Sequence, residues 1–130
     1  MDARQLEQAA RSAETAADAA RAEILPRFRN VPVETKRDGS PVTEADLAAE
    51  RVIRDCLADA FPEYAILGEE FGGAAAQGPC WVVDPIDGTI AFSRGIPLFT
   101  TLIALLEDGE PVLGLIDLPT LDINLRVIQF

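Results

Sequence analysis

The sequence contains no histidine and only two cysteines, Cys56 and Cys80, which are not in a Cys-x-x-Cys spacing. Protein zinc sites are built mainly from cysteine and histidine, and histidine is the commonest general base in enzymes. A zinc site and a histidine base are therefore excluded from this segment, and any metal ion bound here takes oxygen ligands. We expect both cysteines to be small buried hydrophobic residues, not a disulfide.

Basic residues are also scarce, with 11 lysines and arginines against 22 acidic residues and a net charge of −11. This charge repels nucleic acids and anionic lipids, so neither is expected as a partner. A small anionic substrate remains compatible with it if a bound divalent cation reverses the local field. Residues 1–25 lack an apolar run long enough for a signal peptide or a membrane helix, and we expect a cytoplasmic location.

Apolar residues recur at three- and four-residue spacing in two segments, which predicts two amphipathic helices. The first covers residues 6–24, is rich in alanine and should end near Pro26. The second begins at Thr43, with a capping-box pattern, and runs to Pro62. Turn-forming residues between the helices predict a hairpin-like excursion over residues 31–42, and such exposed segments often reach over a functional site.

Short apolar runs after the second helix predict four strands, over residues 64–67, 80–83, 100–106 and 112–116. Asp108 and Gly109 form a hairpin signal between the last two strands. Residues 71–78 are rich in glycine and alanine and are predicted to form a flexible loop. Because regular β–α alternation is missing, we expect an α+β fold, a layered α/β sandwich with two N-terminal helices packed on a largely antiparallel sheet.

Acidic residues follow two of these strands directly. Glu69 and Glu70 come after the first strand, and Asp84, at which the second strand should end, is followed by Asp87. Several carboxylates in one crevice cannot all stay ionised unless cations neutralise them. Mg²⁺ takes an octahedron of oxygens from carboxylates, water and substrate phosphate, and two such ions can hold the attacking and leaving oxygens of a displacement. This pattern predicts a magnesium site that acts on a phosphate.

The hexapeptide Asp84–Thr89 supplies both kinds of ligand that such a site needs. Pro85 stiffens the turn, so that both aspartates and the Ile86 carbonyl can face one centre. Gly88 allows close approach of an anion, and the amides of Gly88 and Thr89 can donate to phosphate oxygens. Alone, this pattern is more often a structural turn with a capping aspartate; the acidic pair upstream favours a functional role.

Three segments resemble the signature segments of the inositol monophosphatase family of lithium-sensitive, magnesium-dependent phosphatases. They are DGSPVTEAD at 38–46, GEE at 68–70 and WVVDPIDGTIAF at 81–92. Their order and spacing agree up to about Thr120, and the continuation from residue 91 is most similar to the branch that hydrolyses histidinol phosphate. The resemblance implies Mg²⁺-dependent hydrolysis of a small phosphorylated metabolite, of the histidinol phosphate or inositol monophosphate type, by a metal-activated water.

The resemblance also implies which residues hold the metal ions. Glu69, Asp84 and the Ile86 carbonyl would bind the first ion, and Asp84 and Asp87 would bind the second. Lys36 lies in the preceding hairpin-like segment. We expect Lys36 to be a solvated loop lysine; the alternative is that it faces the substrate phosphate.

The catalytic and phosphate-binding roles follow from the same resemblance. Asp87, Gly88 and Thr89 match the positions that contact the substrate phosphate. Asp46 and Thr89 match a pair that orients the nucleophilic water, which Glu69 would hold and activate. Asp46 also has a structural interpretation, since it stands at the capping-box position of the second helix, and both roles are left open.

A further aspartate, which in this family completes the second metal site, lies in a half of the domain that these residues do not contain. We therefore expect residues 1–130 to be the N-terminal metal-binding part of a truncated domain, and the complete protein to be a homodimer. The apolar run at 121–130 should leave a sheet edge and an apolar face uncovered. The alternative is a catalytically inactive fragment that binds metal weakly or pairs with a complementing chain.

Two other site classes fit the acidic motif less well. Haloacid dehalogenase-type phosphatases use Asp-x-Asp-Gly-Thr, whereas here the two aspartates are three residues apart and Pro85 occupies the nucleophile's place. Their β–α alternation is missing too. A calcium-binding loop needs an alternating Asp-x-Asp-x-Asp-Gly pattern, which this segment does not have.

Overall fold

The computed structural model describes residues 1–74 and 77–129. Within these residues the α-helices are Ala3–Ile24 (α1), Glu44–Ala60 (α2) and Thr89–Ser93 (α3), with a 3₁₀ turn at Leu25–Arg27. The strands are Glu34–Thr35 (β1), Pro41–Val42 (β2), Ala65–Gly68 (β3), Pro79–Asp87 (β4), Thr100–Glu107 (β5), Glu110–Leu118 (β6) and Ile123–Ile128 (β7). Of the helices in this described part, none combines the length and the apolar character needed to span a membrane.

The two long helices form where the apolar periodicity predicts them. In α1 the Asp2 carboxylate accepts a hydrogen bond from the Gln5 amide at 2.8 Å, and the Gln5 side chain accepts one from the Asp2 amide. This reciprocal cap satisfies amides that have no partner within the helix. A stripe of fully buried alanines along α1 lets it pack closely against α2.

The main sheet has the strand order β3-β4-β5-β6-β7, and β1 and β2 form a separate two-stranded hairpin. Only the β3–β4 pairing in this sheet is parallel; the other three pairings are antiparallel. Both long helices pack on one face of the sheet, and the hydrophobic core lies between the helices and the sheet. The predicted α+β layered architecture is therefore confirmed.

The prediction that the second strand of the sheet ends at Asp84 is wrong. β4 continues through Pro85 to Asp87, and its pairing with β5 shifts register between Asp84 and Asp87. A bulge of this kind accommodates a proline, which has no N–H to give to a regular ladder. The carbonyl of Pro85 instead accepts a hydrogen bond from the Thr101 hydroxyl at 2.8 Å. The bulge thereby ties the acidic motif to the sheet.

Other predictions differ from the structure in smaller ways. The short helix α3 was not predicted, and β3 begins and ends one residue later than expected. The predicted loop over residues 71–78 includes residues 75 and 76, which lie outside the described residues. The strand-like run near residue 130 does form β7, paired antiparallel with β6. Both cysteines are free thiols, as expected, and Cys80 is buried, but Cys56 is only half-buried and so differs from the prediction.

The sheet face opposite the helices is open and apolar in the described part of the chain. On β7 the side chains of Ile123, Leu125 and Val127 are 54–64% exposed, and they continue the surface of Ile116 on β6. A shallow apolar depression crosses this face between β4, β5 and β6, and Asp84 forms part of its lining. The acidic motif therefore borders the open face.

A buried ion pair fastens α1 to β6 of the sheet. Nη2 of Arg21 lies 2.5 Å from Oδ1 of Asp117, whose side chain is fully buried in β6. Arg21 also pairs with the exposed Asp122. Burial raises the pKa of Asp117 and the Arg21 guanidinium opposes that rise. Removal of the arginine would leave a buried carboxylate without a counter-ion.

We expect Arg21→Met to lower the free energy of unfolding by about 3 kcal/mol near neutral pH, measured by urea denaturation. Because Arg21 opposes the rise in the pKa of Asp117, its loss raises that pKa further, and the native carboxyl of the variant takes up a proton at a higher pH than that of the wild type. The deficit should therefore shrink on acidification. Arg126→Met removes a more exposed partner of Glu7 on the same helix and should cost less than about 1 kcal/mol. Equal losses in both variants would contradict this account.

Candidate functional site

An open cavity of about 270 Å³ lies where the ends of β3 and β4 meet the β1–β2 hairpin and α3. The sequence-predicted site residues in its lining are Glu69, Asp84, Ile86, Asp87, Gly88 and Thr89. The hairpin contributes Lys36, Ser40 and Pro41 to the same lining. The structure thus gathers all the predicted metal and phosphate residues around one space, whereas Asp46 lies behind the wall.

The parallel pairing of β3 with β4 brings the two acidic segments together. Gly68 pairs with Val83, and the Glu69 amide donates to the Val83 carbonyl at 3.0 Å. Glu69, directly after β3, and Asp84, within β4, therefore stand side by side at the same level of the sheet. The carboxyl ends of parallel strands meet at one sheet edge, and a crevice there is a common place for a ligand.

Lys36 is not a solvated loop lysine, contrary to the sequence-based expectation. Its Nζ lies 2.8 Å from Oε2 of Glu70 and 4.0 Å from Oε1 of Glu69. Burial raises the pKa of Glu70, and the bond to Lys36 opposes that rise. Lys36 therefore places a positive charge inside this acidic cavity.

Asp84 carries a poorly compensated charge in the cavity. Burial is the main cause that raises its pKa to about 6, and the charges of Asp87, Glu69 and Glu70 add to the effect. Its Oδ1 atom is buried and accepts no hydrogen bond from the described residues. An unpartnered oxygen in a field of like charges is a place where a cation would be strongly favoured.

The acidic side chains line one cavity without converging on one point. Across residues 1–74 and 77–129, no group of three or more acidic, cysteine or histidine side chains is close enough to hold a metal ion. The donor set is nevertheless all oxygen, from carboxylates and the Ile86 carbonyl, which matches the preference of Mg²⁺. Together with the unpartnered oxygen of Asp84, this chemistry fits a hard divalent cation.

Asp46 connects the start of α2 with the start of α3. Its carboxylate is fully buried and accepts hydrogen bonds from the Thr43 amide at 2.9 Å and the Thr43 hydroxyl at 2.7 Å. Its other oxygen accepts one from the Thr89 hydroxyl at 2.9 Å. The capping contact predicted from the sequence is confirmed. Its role in orienting a water stays a prediction, although Asp46 is in place to fix the orientation of Thr89.

Gly88 turns the chain from β4 into α3 at the cavity. Its φ of 92° is in the left-handed region, which glycine adopts at little cost. An added Cβ would sit only in ordinary contact with Phe99, so backbone conformation, more than space, calls for glycine here. Phe92, Phe99 and Phe28 form an aromatic cluster with ring centroids 5.1–5.5 Å apart, which anchors α3 beside the site.

Sequence reasoning assigned no function to several residues that the structure brings to the cavity. Ser40 and Pro41 belong to the hairpin that was expected to reach over a site, so a signal for their placement was present. Glu70 was recognised as acidic but received no role, and it proves to be the partner of Lys36. Its side chain is only 4% exposed, whereas that of Glu69 is 60% exposed.

The sequence pattern of the inositol monophosphatase family matches residues 2–128. The chain belongs to the inositol monophosphatase family. It is 49% identical over 117 residues to a histidinol-phosphatase of Streptomyces coelicolor, covering 85% of this chain and 44% of that protein. It is 46% identical over 85 residues to the inositol-1-monophosphatase ImpA of Mycolicibacterium smegmatis, covering 65% and 30%.

A solved member of the inositol monophosphatase family has the same fold. The inositol monophosphatase of Zymomonas mobilis is 43% identical, superposes with a TM-score of 0.79, and is matched over 98% of this chain and 49% of its own. The chain thus spans less than half the length of each of these relatives. The resemblance noted in the three signature segments is confirmed at the level of the family.

Lys36→Met removes the cation that occupies the cavity and frees the Glu70 carboxylate. We expect Mg²⁺ to bind about tenfold more tightly to this variant in a calorimetric titration, because a positive charge a few ångströms from a divalent ion repels it. Arg37→Met is the matched control, since it removes one positive charge from an exposed neighbour in the same hairpin. Weaker Mg²⁺ binding by Lys36→Met, or an equal gain in both variants, would contradict the role of Lys36.

Proposed function

We propose that the complete protein hydrolyses a small phosphate monoester, with Mg²⁺ as cofactor and water as nucleophile. The observation that carries the proposal is the cavity itself, in which the acidic ends of β3 and β4 stand beside the Gly88–Thr89 turn. The family supports it, because the similar proteins of S. coelicolor and M. smegmatis are named as phosphatases.

Glu69, Asp84 and the Ile86 carbonyl would hold one Mg²⁺ ion, and Asp84 together with Asp87 would hold a second. The all-oxygen donor set and the unpartnered Oδ1 of Asp84 support this assignment. Bound magnesium would supply positive charge that polarises the phosphate and lowers the pKa of a water molecule.

The protein groups around the cavity then position the water and the phosphate. The Thr89 hydroxyl lies 2.9 Å from Asp46 Oδ1 and 3.1 Å from the Ile86 carbonyl oxygen. Its one proton serves one of these acceptors, so a lone pair is left to accept from a water. Glu69 is exposed to the cavity and can accept the proton that the water gives up. The amides of Gly88 and Thr89 would donate to phosphate oxygens.

We assign the substrate to the class of small phosphorylated metabolites, with histidinol phosphate first. The segment from residue 91 onward supports this order, since it is most similar to the histidinol phosphate branch. Sequence identity to the named relatives distinguishes the two substrates less clearly, because it is 49% for the histidinol-phosphatase and 46% for the inositol-1-monophosphatase. A direct comparison of the two phosphates as substrates tests the order.

Asp84→Asn is the sharpest test of the metal assignment, because it removes a charge that both ions would share. In the complete protein we expect the variant to lose at least about a hundredfold in Mg²⁺-dependent phosphate release. Asp59→Asn makes the same change on an exposed position of α2 and should leave turnover unaltered. Undiminished activity of Asp84→Asn would refute the metal assignment.

The second candidate function is that residues 1–130 are one part of an enzyme domain, which becomes active only when a complementing segment is present. We propose that residues 1–130 are the N-terminal metal-binding part of a larger domain, homodimeric when complete, whose other half covers the open sheet face. This is supported by the exposed apolar residues of β7 and by Asp84, which lines both the cavity and the open face. A segment packed on that face would reach the site.

The purified 130-residue chain should therefore release little phosphate from histidinol phosphate or inositol 1-phosphate in the presence of Mg²⁺. The physical reason is that the further aspartate, which the family resemblance implies for the second metal site, is not among these 130 residues. Phosphate release is followed colorimetrically, with the complete protein as the positive control. Robust turnover that Glu69→Gln abolishes would show that these residues complete the site without help.

A further inference from the structure

Glu50 is a fully buried carboxylate on α2, outside the cavity and unused by the proposed reaction. A buried carboxylate is costly unless every lone pair finds a donor, so its partners reveal what it does. Its position four residues before Arg54 suggests an ordinary ion pair along a helix. The full burial of Glu50 and the direction of its carboxylate, however, indicate a role beyond an ion pair on one helix.

The main partners of Glu50 are backbone amides of the acidic turn after β3. Its Oε1 accepts a hydrogen bond from the Glu70 amide at 2.8 Å, and its Oε2 accepts one from the Phe71 amide at 2.9 Å. Arg54 donates from Nε to Oε2 at 2.9 Å and from Nη2 to the Gly72 carbonyl. Glu50 and Arg54 thus hold three consecutive residues of one turn by their backbone.

The end of β3 is shaped around this carboxylate. A Cβ atom built on Gly68 would lie 2.3 Å from Oε2 of Glu50 and 2.4 Å from its carboxyl carbon. A side chain there would have to push the Glu50 carboxylate out of its position, although the backbone of Gly68 is not in the left-handed region. The glycine before Glu69 therefore makes room for Glu50, independently of any turn conformation.

The same turn is closed on itself and on β4. The Gly68 and Gly72 backbones exchange hydrogen bonds at 2.9 and 3.0 Å, and the Glu69 amide is bonded to β4. The amides of Glu70 and Phe71 are the ones that Glu50 satisfies from α2. With the backbone held from both sides, the Glu69 and Glu70 side chains project into the cavity.

We infer that Glu50, clamped by Arg54, is a positioning residue that holds the Glu69–Glu70 turn and so sets where these two carboxylates stand in the cavity. It touches neither the cavity nor any reacting group, and acts through the backbone of the turn. The consequence for cation binding rests on the function proposed above. The consequence for the turn itself does not.

The test is Glu50→Gln in the 130-residue chain, read by amide hydrogen exchange and by Mg²⁺ titration. The substituted amide can accept at one atom only, so one of the two turn amides loses its acceptor. We expect exchange at Glu70 and Phe71 to accelerate about tenfold or more relative to the β4–β5 amides. Mg²⁺ affinity should fall about tenfold, as expected when a ligand turn is loosened.

Glu23→Gln is the matched control. Glu23 on α1 pairs with Arg27 in the following 3₁₀ turn at the same four-residue spacing, at 2.7 Å, and Arg27 is the partner of its carboxylate instead of the Glu69–Glu70 turn. It should change neither exchange at Glu70 and Phe71 nor Mg²⁺ affinity. Exchange at wild-type rates in folded Glu50→Gln would overturn the inference, and so would faster exchange with unchanged Mg²⁺ affinity. Failure of the wild-type 130-residue chain to bind Mg²⁺ would show that these residues alone do not hold the ion, and exchange alone would then decide the role of Glu50.

A double substitution tests the same contact through stability, independently of amide exchange and of Mg²⁺ binding. Gly68→Ala places a methyl group where the Glu50 carboxylate stands, and Glu50→Ala empties that space. The shift in urea midpoint caused by Gly68→Ala should be large with Glu50 present and at most half as large in the Glu50→Ala background, as expected for residues in contact. Equal shifts in the two backgrounds would show that the carboxylate does not occupy the position inferred here.

Discussion

Crowding of like-charged carboxylates at the carboxyl ends of β3 and β4 is the constraint on which this structure depends. The parallel pairing of these strands forces Glu69 and Asp84 to emerge side by side. The surrounding elements supply positive charge and donors where they can. Lys36 from the hairpin pairs with Glu70, and Arg54 with the amides of the turn satisfies Glu50. Asp84 is left with a pKa near 6 and an oxygen without a partner among the described residues.

Much of this fold could be predicted from the sequence, because its elements follow local rules. The alanine stripe of α1 and the cap at Thr43 carry their own signals. The continuation of β4 through Pro85 could not be predicted, since a proline after an apolar run normally indicates the end of a strand. The bulge is stabilised by the hydroxyl of Thr101 on a neighbouring strand, which local sequence does not reveal.

The candidate site shows the same division. Acidic residues after two strands were enough to place Glu69, Asp84 and Asp87 near one another, because strand ends meet at a sheet edge. The role of Glu50 could not be predicted, because the local sequence around it indicates a different environment. A glutamate four residues before an arginine is the ordinary pattern of a solvated helix surface, and only the tertiary fold shows that this pair faces inward onto a turn.

The position of Lys36 has a chemical consequence. It is the only lysine in the sequence, so apart from the N-terminal amino group it is the one primary amine of the chain. Its side chain is 23% exposed at the rim of the cavity, within reach of small reagents. Within residues 1–130, acylation, reductive methylation or aldehyde cross-linking of a lysine side chain therefore falls on this cavity, and the N-terminal amino group is the other amine that can react. Lys36 is thus a chemical handle for the cavity once the N-terminal product is accounted for.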